Sequence, residues 1–254
     1  IIATSTDTHI DAMRIVCSYH SVKTILCEKP IAEDLVKAQF IKDLCDSAGI
    51  TLFVNYMRRC EPGVLAIKKL IKKNQFTTPF KGTVWYTKGL WHNGSHFLNL
   101  LEFWFGHPVD SPQLCGSADF ASQSDIDVDF TVYFQSGAVN FLSFSDNSFT
   151  HNEIRLLSKT GQLNYLMGGR SISIQKPIVD SVFPSYNILS QENQLLYSDT
   201  YKIQWHGLDH LATNLLQVNT IKYEDICGKG AKQISFAEVE LEQACAYAAE
   251  DADI

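Results

Sequence analysis

The chain has 254 residues, 45% of them hydrophobic and 19% charged, with a formal net charge of -7. That is globular composition, with enough apolar residues for a sizeable core in one large domain or two ordinary ones. Lys and Arg are scattered with no basic patch of interleaved aromatics, which argues against nucleic acid, and no run approaches the roughly 20 apolar residues of a membrane-crossing helix.

The first residues, Ile1-Ile2-Ala3, read as the tail of a buried strand, with no methionine at the start and no signal-peptide pattern. Thr4-Ser5-Thr6-Asp7-Thr8-His9 supply loop and helix-capping chemistry. Apolar residues at helical spacing (Ile10, Met13, Val16, Cys17) predict a helix over 10–18, and 22–26 is an apolar run of strand length. A second helix is predicted over 31–48, with Leu35, Ala38, Ile41, Leu44 and Cys45 on one face and Gly49 just past its end. Thr51-Leu52-Phe53-Val54 is strand-like again. Strand, helix, strand, helix, strand on short connections predicts a parallel sheet covered by helices. Residues 4–6, 28–30 and 55–59 fall at carboxyl ends of its strands, where open α/β sheets bind ligands.

A helix over 63–73 follows, with Leu65, Leu70 and Ile71 as core candidates. From Phe80 the period changes to that of half-exposed strands: 81–88, 113–120, 128–135, 138–144, 153–158, 161–167 and 171–175. A helix over 95–105 ends at Gly106. Ser136-Gly137 and Lys159-Thr160-Gly161 are turn signals, so neighbouring strands there run antiparallel. Residues 177–195 read as irregular, and helices over 203–218 and 236–249 close the chain. The expected architecture is α/β: a partial Rossmann unit over 1–60, then an α+β domain over 61–254 with an open, mostly antiparallel sheet, its last helices packing back on the first domain.

The seven cysteines are odd in number and carry no Cys-x-x-Cys pair, which argues against a disulfide framework or a structural zinc site and for a reducing, cytoplasmic setting.

Two stretches carry chemistry. In Glu28-Lys29-Pro30 the proline holds Lys29 out of the helical region, at a strand end. A lysine so placed can donate to a substrate hydroxyl, and Glu28 can hold that ammonium or a ribose hydroxyl. Taken alone, the pair also reads as solvated charges capping a strand. In Gly94-Ser95-His96, His96 opens an apolar helix, whose N-terminus disfavours the imidazolium and keeps the ring available as a base. The bland alternative is a histidine capping its own helix. His92 lies four residues earlier, but no Glu follows it and no third ligand is evident, so the spacing does not make a metal site. His206 and His210 repeat that spacing, most simply as a polar helix face, with a site-facing role open to His210. Arg58 and Arg59 can bind a carboxylate or phosphate, or stay solvated.

In order and approximate spacing, several motifs resemble the Gfo/Idh/MocA family of nicotinamide-dependent oxidoreductases. They are Ala3-Thr4 with His9 five residues after Thr4, Glu28-Lys29-Pro30, 55–62 beginning Asn55-Tyr56-Met57-Arg58-Arg59, and Gly94-Ser95-His96 with the helix after it. The resemblance covers residues 1–106 well and the rest by pattern only. It implies a Rossmann domain followed by an α/β domain whose open sheet makes subunit contacts, hence a homo-oligomer. It implies NAD or NADP as cofactor, lined by Thr4, Ser5, Thr6, His9, Glu28, Lys29 and Pro30. It implies Lys29, His96 and His92 as the catalytic group, Arg58, Asn93 and His210 on the substrate, and no metal. The substrate expected is a sugar, sugar nucleotide or cyclitol with a secondary hydroxyl or ketone. The family position of His92 is often aspartate or asparagine, so histidine departs from the pattern.

The family's Gly-x-Gly-x-x-Gly turn, which receives the pyrophosphate, is absent from this sequence. On the family template the chain starts at the fourth Rossmann strand, and two βαβ units, roughly 60 to 70 residues, precede it. Two rival readings stand beside the oxidoreductase. One is a non-catalytic remnant serving as a binding or dimerisation module. The other is a lyase or isomerase using Lys29 as a Schiff-base amine.

Overall fold

A computed structural model of the chain describes residues 1–115, 125–144, 148–198, 212–213, 217–230 and 233–253. The chain divides into two compact units, Ile2–Thr200 and Tyr201–Ile254, the second also taking in Ile1.

The first unit opens on a small parallel layer. Helix α1 (His9–Cys17) leads to strand β1 (Thr24–Glu28), and helix α2 (Leu35–Ser47) to strand β2 (Thr51–Asn55). β1 and β2 pair in parallel from Thr24↔Thr51 to Glu28↔Asn55, and Ile2 adds a parallel bridge to Cys27. Ile2, Met13, Ile25, Cys27, Ile41, Cys45 and Ile50 form its core.

α2 starts later than expected because Asp34, not Pro30, ends the preceding loop: its carboxylate accepts from the Lys37 amide at 2.8 Å. Leu35 thus lies in the first turn and is exposed rather than on the buried stripe of Ile41 and Cys45. Gly49 takes the position just past the helix with φ +66°, and Ile50 N–H closes back on the Cys45 carbonyl at 2.9 Å.

Helix α3 (Pro62–Lys72) follows, then strand β3 (Phe80–Thr87), a π-helical turn (Leu90–Gly94) and helix α4 (Ser95–Phe105). The buried stripe of α3 is Gly63, Val64 and Ile67; Ile71 packs against the same core as expected, but Leu65 faces outward. The Trp104 indole donates to the Val64 carbonyl at 3.2 Å, tying α4 to α3.

The larger sheet adds β4 (Gln113–Leu114), β5 (Phe130–Phe134), β6 (Gly137–Phe144), β7 (Glu153–Ser158), β8 (Gly161–Leu166), β9 (Ser171–Gln175) and, beyond a short hairpin, β12 (Gln194–Ser198). Its order is β12-β9-β8-β7-β3-β6-β5-β4, and β3–β6 is the parallel pair among antiparallel ones. Alternation does the sorting: Ile154 and Leu156 of β7 are buried while Arg155 and Leu157 face away. α3 and α4 cover one face, placing Val64, Ile67, Phe97, Leu100 and Leu101 in the same core as Phe80, Val84, Tyr86 and Phe141.

Residues 177–195 are not irregular. β10 (Pro177–Val179) and β11 (Asn187–Leu189) form a hairpin whose loop is held by Asp180, which accepts from the Val182 and Phe183 amides at 2.7 and 3.1 Å. Three-residue strands are too short to show a period of two.

In the second unit, α5 (Tyr223–Cys227), a 3-10 turn (Phe236–Glu238) and α6 (Leu241–Asp253) are described. The single helix expected over 236–249 is broken at Val239, whose backbone is extended. The helix expected over 203–218 falls largely outside the described residues.

Candidate functional site

The site is built where β1 and β2 end. Lys29 directly follows β1 and precedes Pro30, across a cis peptide bond. Its Nζ donates to the His92 carbonyl at 2.7 Å, across 63 residues of sequence. Burial pulls the Lys29 pKa down, Glu28 opposes that shift, and Arg58 adds to it. Glu28 is held in turn: Asn55 Nδ2, at the end of β2, donates to Glu28 Oε1 at 2.6 Å.

His96 is the second residue of α4. Its ring is largely buried, and Nδ1 has no hydrogen-bond partner among the described residues. Burial, with the Lys29 and Arg58 charges and His92, pushes its pKa down to about 4. The ring is therefore neutral at pH 7. Tyr56, just past β2, meets it edge-on, with ring centroids 5.7 Å apart at 88°.

His92 meets Lys29 through its backbone. Its side chain is exposed, and the π-helical turn separates it from α4. Its backbone carbonyl is what touches Lys29. That turn is capped from far away in the chain: Asp125 accepts from the Trp91 and His92 amides, at 2.7 Å each. Gly89 permits this, because it sits at φ +85° and a Cβ there would overlap the Asp125 carboxylate. Tyr86 anchors the same segment, its hydroxyl donating to the Val128 carbonyl at 2.6 Å. Asp125 carries no motif in the sequence, and Tyr56 stands out there only within the 55–62 motif. An isolated Asp gives no local sign of an acceptor role 33 residues away.

The remaining candidates divide. Thr4 and Ser5 are exposed and Thr6 half-buried, in the loop after Ile2. His9 is buried, its ring nitrogens 3.0 Å from the carbonyls of Thr4 and Ile31, so it braces the loops following Ile2 and Pro30. His9→Ala removes that brace. We expect about 2–4 kcal/mol lost in chemical denaturation, from the packing and hydrogen bonding of the buried ring.

Arg58 Nη1 donates to the Gly168 carbonyl at 2.6 Å and lies 3.2 Å from the Tyr165 hydroxyl, tying the end of β2 to the turn after β8. Asn93 commits its amide nitrogen to the Thr87 carbonyl at 2.7 Å. His210 lies outside the described residues. No cluster of three or more metal-ligating side chains occurs among the described residues, and no helix among them is long and apolar enough to cross a membrane.

Because Asp125 positions the His92 carbonyl, Asp125→Ala is expected to release Lys29. Acylation of Lys29 by an amine-directed reagent, read by peptide mass, should rise several-fold. An unchanged rate would show that the turn holds without its cap.

Comparison with known proteins gives two separate likenesses. Solved oxidoreductases share the fold. One from Agrobacterium radiobacter, in complex with NAD+, L-tartaric acid and magnesium, superposes with a TM-score of 0.55 at 18% identity, over 76% of this chain and 60% of that one. YvaA of Bacillus subtilis gives 0.58 at 16%, over 75% and 64%. The WlbA dehydrogenase of Bordetella pertussis, in complex with NADH and UDP-GlcNAcA, gives 0.53 at 19%, over 64% and 56%. At these identities the likeness is one of fold: a small parallel sheet beside a larger, mostly antiparallel one.

The other likeness is at the C-terminal end. A 3'-5' exonuclease family model matches residues 177–254. DNA polymerase I of Pseudomonas aeruginosa is 55% identical over 49 residues, and that of Rhizobium leguminosarum 41% over 49. The match spans 19% of this chain and 5% of either polymerase.

Proposed function

We propose that residues 2–200 carry the reaction end of an NAD(P)-dependent oxidoreductase of the Gfo/Idh/MocA type. It interconverts a secondary hydroxyl and a ketone on a sugar, sugar nucleotide or cyclitol. The observation that supports this best is the buried, unpartnered Nδ1 of a neutral His96 in the field of the Lys29 ammonium. A buried polar atom left without a partner costs free energy in the absence of ligand, and a substrate hydroxyl supplies the missing partner.

The residues fit the nicotinamide end of the cofactor. Lys29 spends one of its three donors on His92, leaving two, and Thr4 and Ser5 are exposed in the loop after the Ile2 bridge. When bound, the nicotinamide accepts or returns the hydride. His96 takes the hydroxyl proton as the ketone forms and gives it back in reduction. Lys29 donates to the substrate oxygen and stabilises the charge that develops there. The His92 carbonyl fixes the direction of the ammonium, and burial of both groups strengthens their interaction with that oxygen. The test is a screen of secondary alcohols and ketones with both cofactors. Turnover should vanish in Lys29→Met and fall steeply in His96→Asn. Wild-type rates in both variants would end this reading.

We read residues 201–254 separately, as a portion of a 3'-5' exonuclease-type domain. The family match and the identity to DNA polymerase I support this.

A further inference from the structure

We infer that the chain is composite: residues 201–254 are a module of separate origin, joined to an oxidoreductase-type unit that folds without it. Four observations converge. The compact units meet at Thr200 and Tyr201. The oxidoreductase likeness covers 76% of the chain, about the extent of the first unit. The polymerase likeness rises to 55% identity over a short stretch, whereas the oxidoreductases stay at 14–19% over a long one. Two parts of one protein that had diverged together would show more even resemblance to one set of relatives. Finally, composition changes at the boundary: most of the chain's acidic excess lies after residue 200, although that stretch is about a fifth of the length.

The second unit also has packing of its own. Cys227 is buried, and its carbonyl accepts from the Ile234 amide at 2.8 Å. Tyr223, Phe236 and Tyr247 form an aromatic triangle with ring centroids 5.9–6.3 Å apart. The family match begins at residue 177, inside the first unit, but β12 pairs antiparallel with β9 there, with one bulge between Leu195 and Tyr197. The unit boundary is therefore the better estimate of the junction.

The inference rests on the separate readings of the two units given above, but its test needs neither activity. In the full chain, thermal unfolding is followed by circular dichroism for two sets of variants. Phe141 is fully buried and stacks on Phe130 at 4.6 Å, in the core of the first unit. Phe141→Ala should lower the main transition by about 6–15 °C. Phe141→Leu, which is milder, covers the case in which alanine prevents folding.

Cys227→Asp places a charge in the core of the second unit, and Tyr223→Ala with Phe236→Ala dismantles its aromatic triangle. Both should leave the main transition within about 1 °C of wild type. A fall of several degrees in that transition for either second-unit variant would overturn the inference, since the two stretches would then fold as one body. In that event the oxidoreductase proposal stands, because none of these residues lies at Lys29 or His96.

Discussion

Lys29→Met is expected to remove turnover, by about 10³-fold or more, while leaving the thermal midpoint nearly unchanged. Two losses combine. The substrate oxygen loses its charged donor, and such preorganised donors are worth about 10²–10³ in kcat. The substrate also loses the contact that orients it against His96, and misplacement costs a further factor. Folding suffers little because the Lys29 contact is a single hydrogen bond at a strand end, to a backbone carbonyl that solvent can serve. Methionine keeps the length and apolar stem of the side chain. It also removes a desolvated charge, which offsets the lost bond. The measurement is steady-state kinetics beside thermal unfolding. Loss of activity accompanied by loss of the folded transition would assign Lys29 a structural role instead.

His96→Asn is expected to lower kcat/KM by about 10²–10⁴, the usual worth of a positioned acid or base. It also changes two pH dependences. In the wild type, kcat/KM should rise with pH through about 4, where the folded imidazole loses its proton, and that limb should vanish in the variant. Stability carries the matching signature. The folded pKa lies below the unfolded value of about 6.5. Between those values the unfolded chain binds a proton that the folded chain does not, so stability falls as pH drops from about 6.5 to 4. The ring is not fully enclosed, and after discounting for that we expect about 2 kcal/mol over this window. His96→Asn should not show it. Identical pH profiles for the two proteins would place the titrating group elsewhere.

The readings of Lys29 and His96 began from local chemistry. A proline after a lysine at a strand end, and a histidine at the head of an apolar helix, are visible within a few residues. The strand and helix order was legible for the same reason, since buried stripes repeat with the period of the element. Where local signals conflicted, the chain chose by burial. Leu65 and Leu35 were plausible core residues by spacing, yet Val64 and Ile67 on one helix and Ile41 and Cys45 on the other took the interior. A one-residue change of phase turns a helix by about 100°, and composition alone does not choose between neighbouring stripes.

Long-range partners were not legible. Asp125 capping the turn at Trp91 and His92, and Arg58 reaching the Gly168 carbonyl, join residues tens of positions apart. The change of unit at residue 200 was also hidden, because helical spacing reads the same whatever the origin of the helix. Its one compositional trace was the acidic excess that follows.

By itself, then, the sequence determined the alternation of elements, the parallel and antiparallel layers, and the lysine and histidine on which the proposed chemistry rests. These depend on periodicity and turn geometry, which act between near neighbours. Tertiary structure alone decided that the His92 carbonyl meets Lys29, that His9 braces two loops, and that His96 is dry enough to stay neutral. Those outcomes depend on which distant atoms exclude water from a group, and only the folded topology sets that.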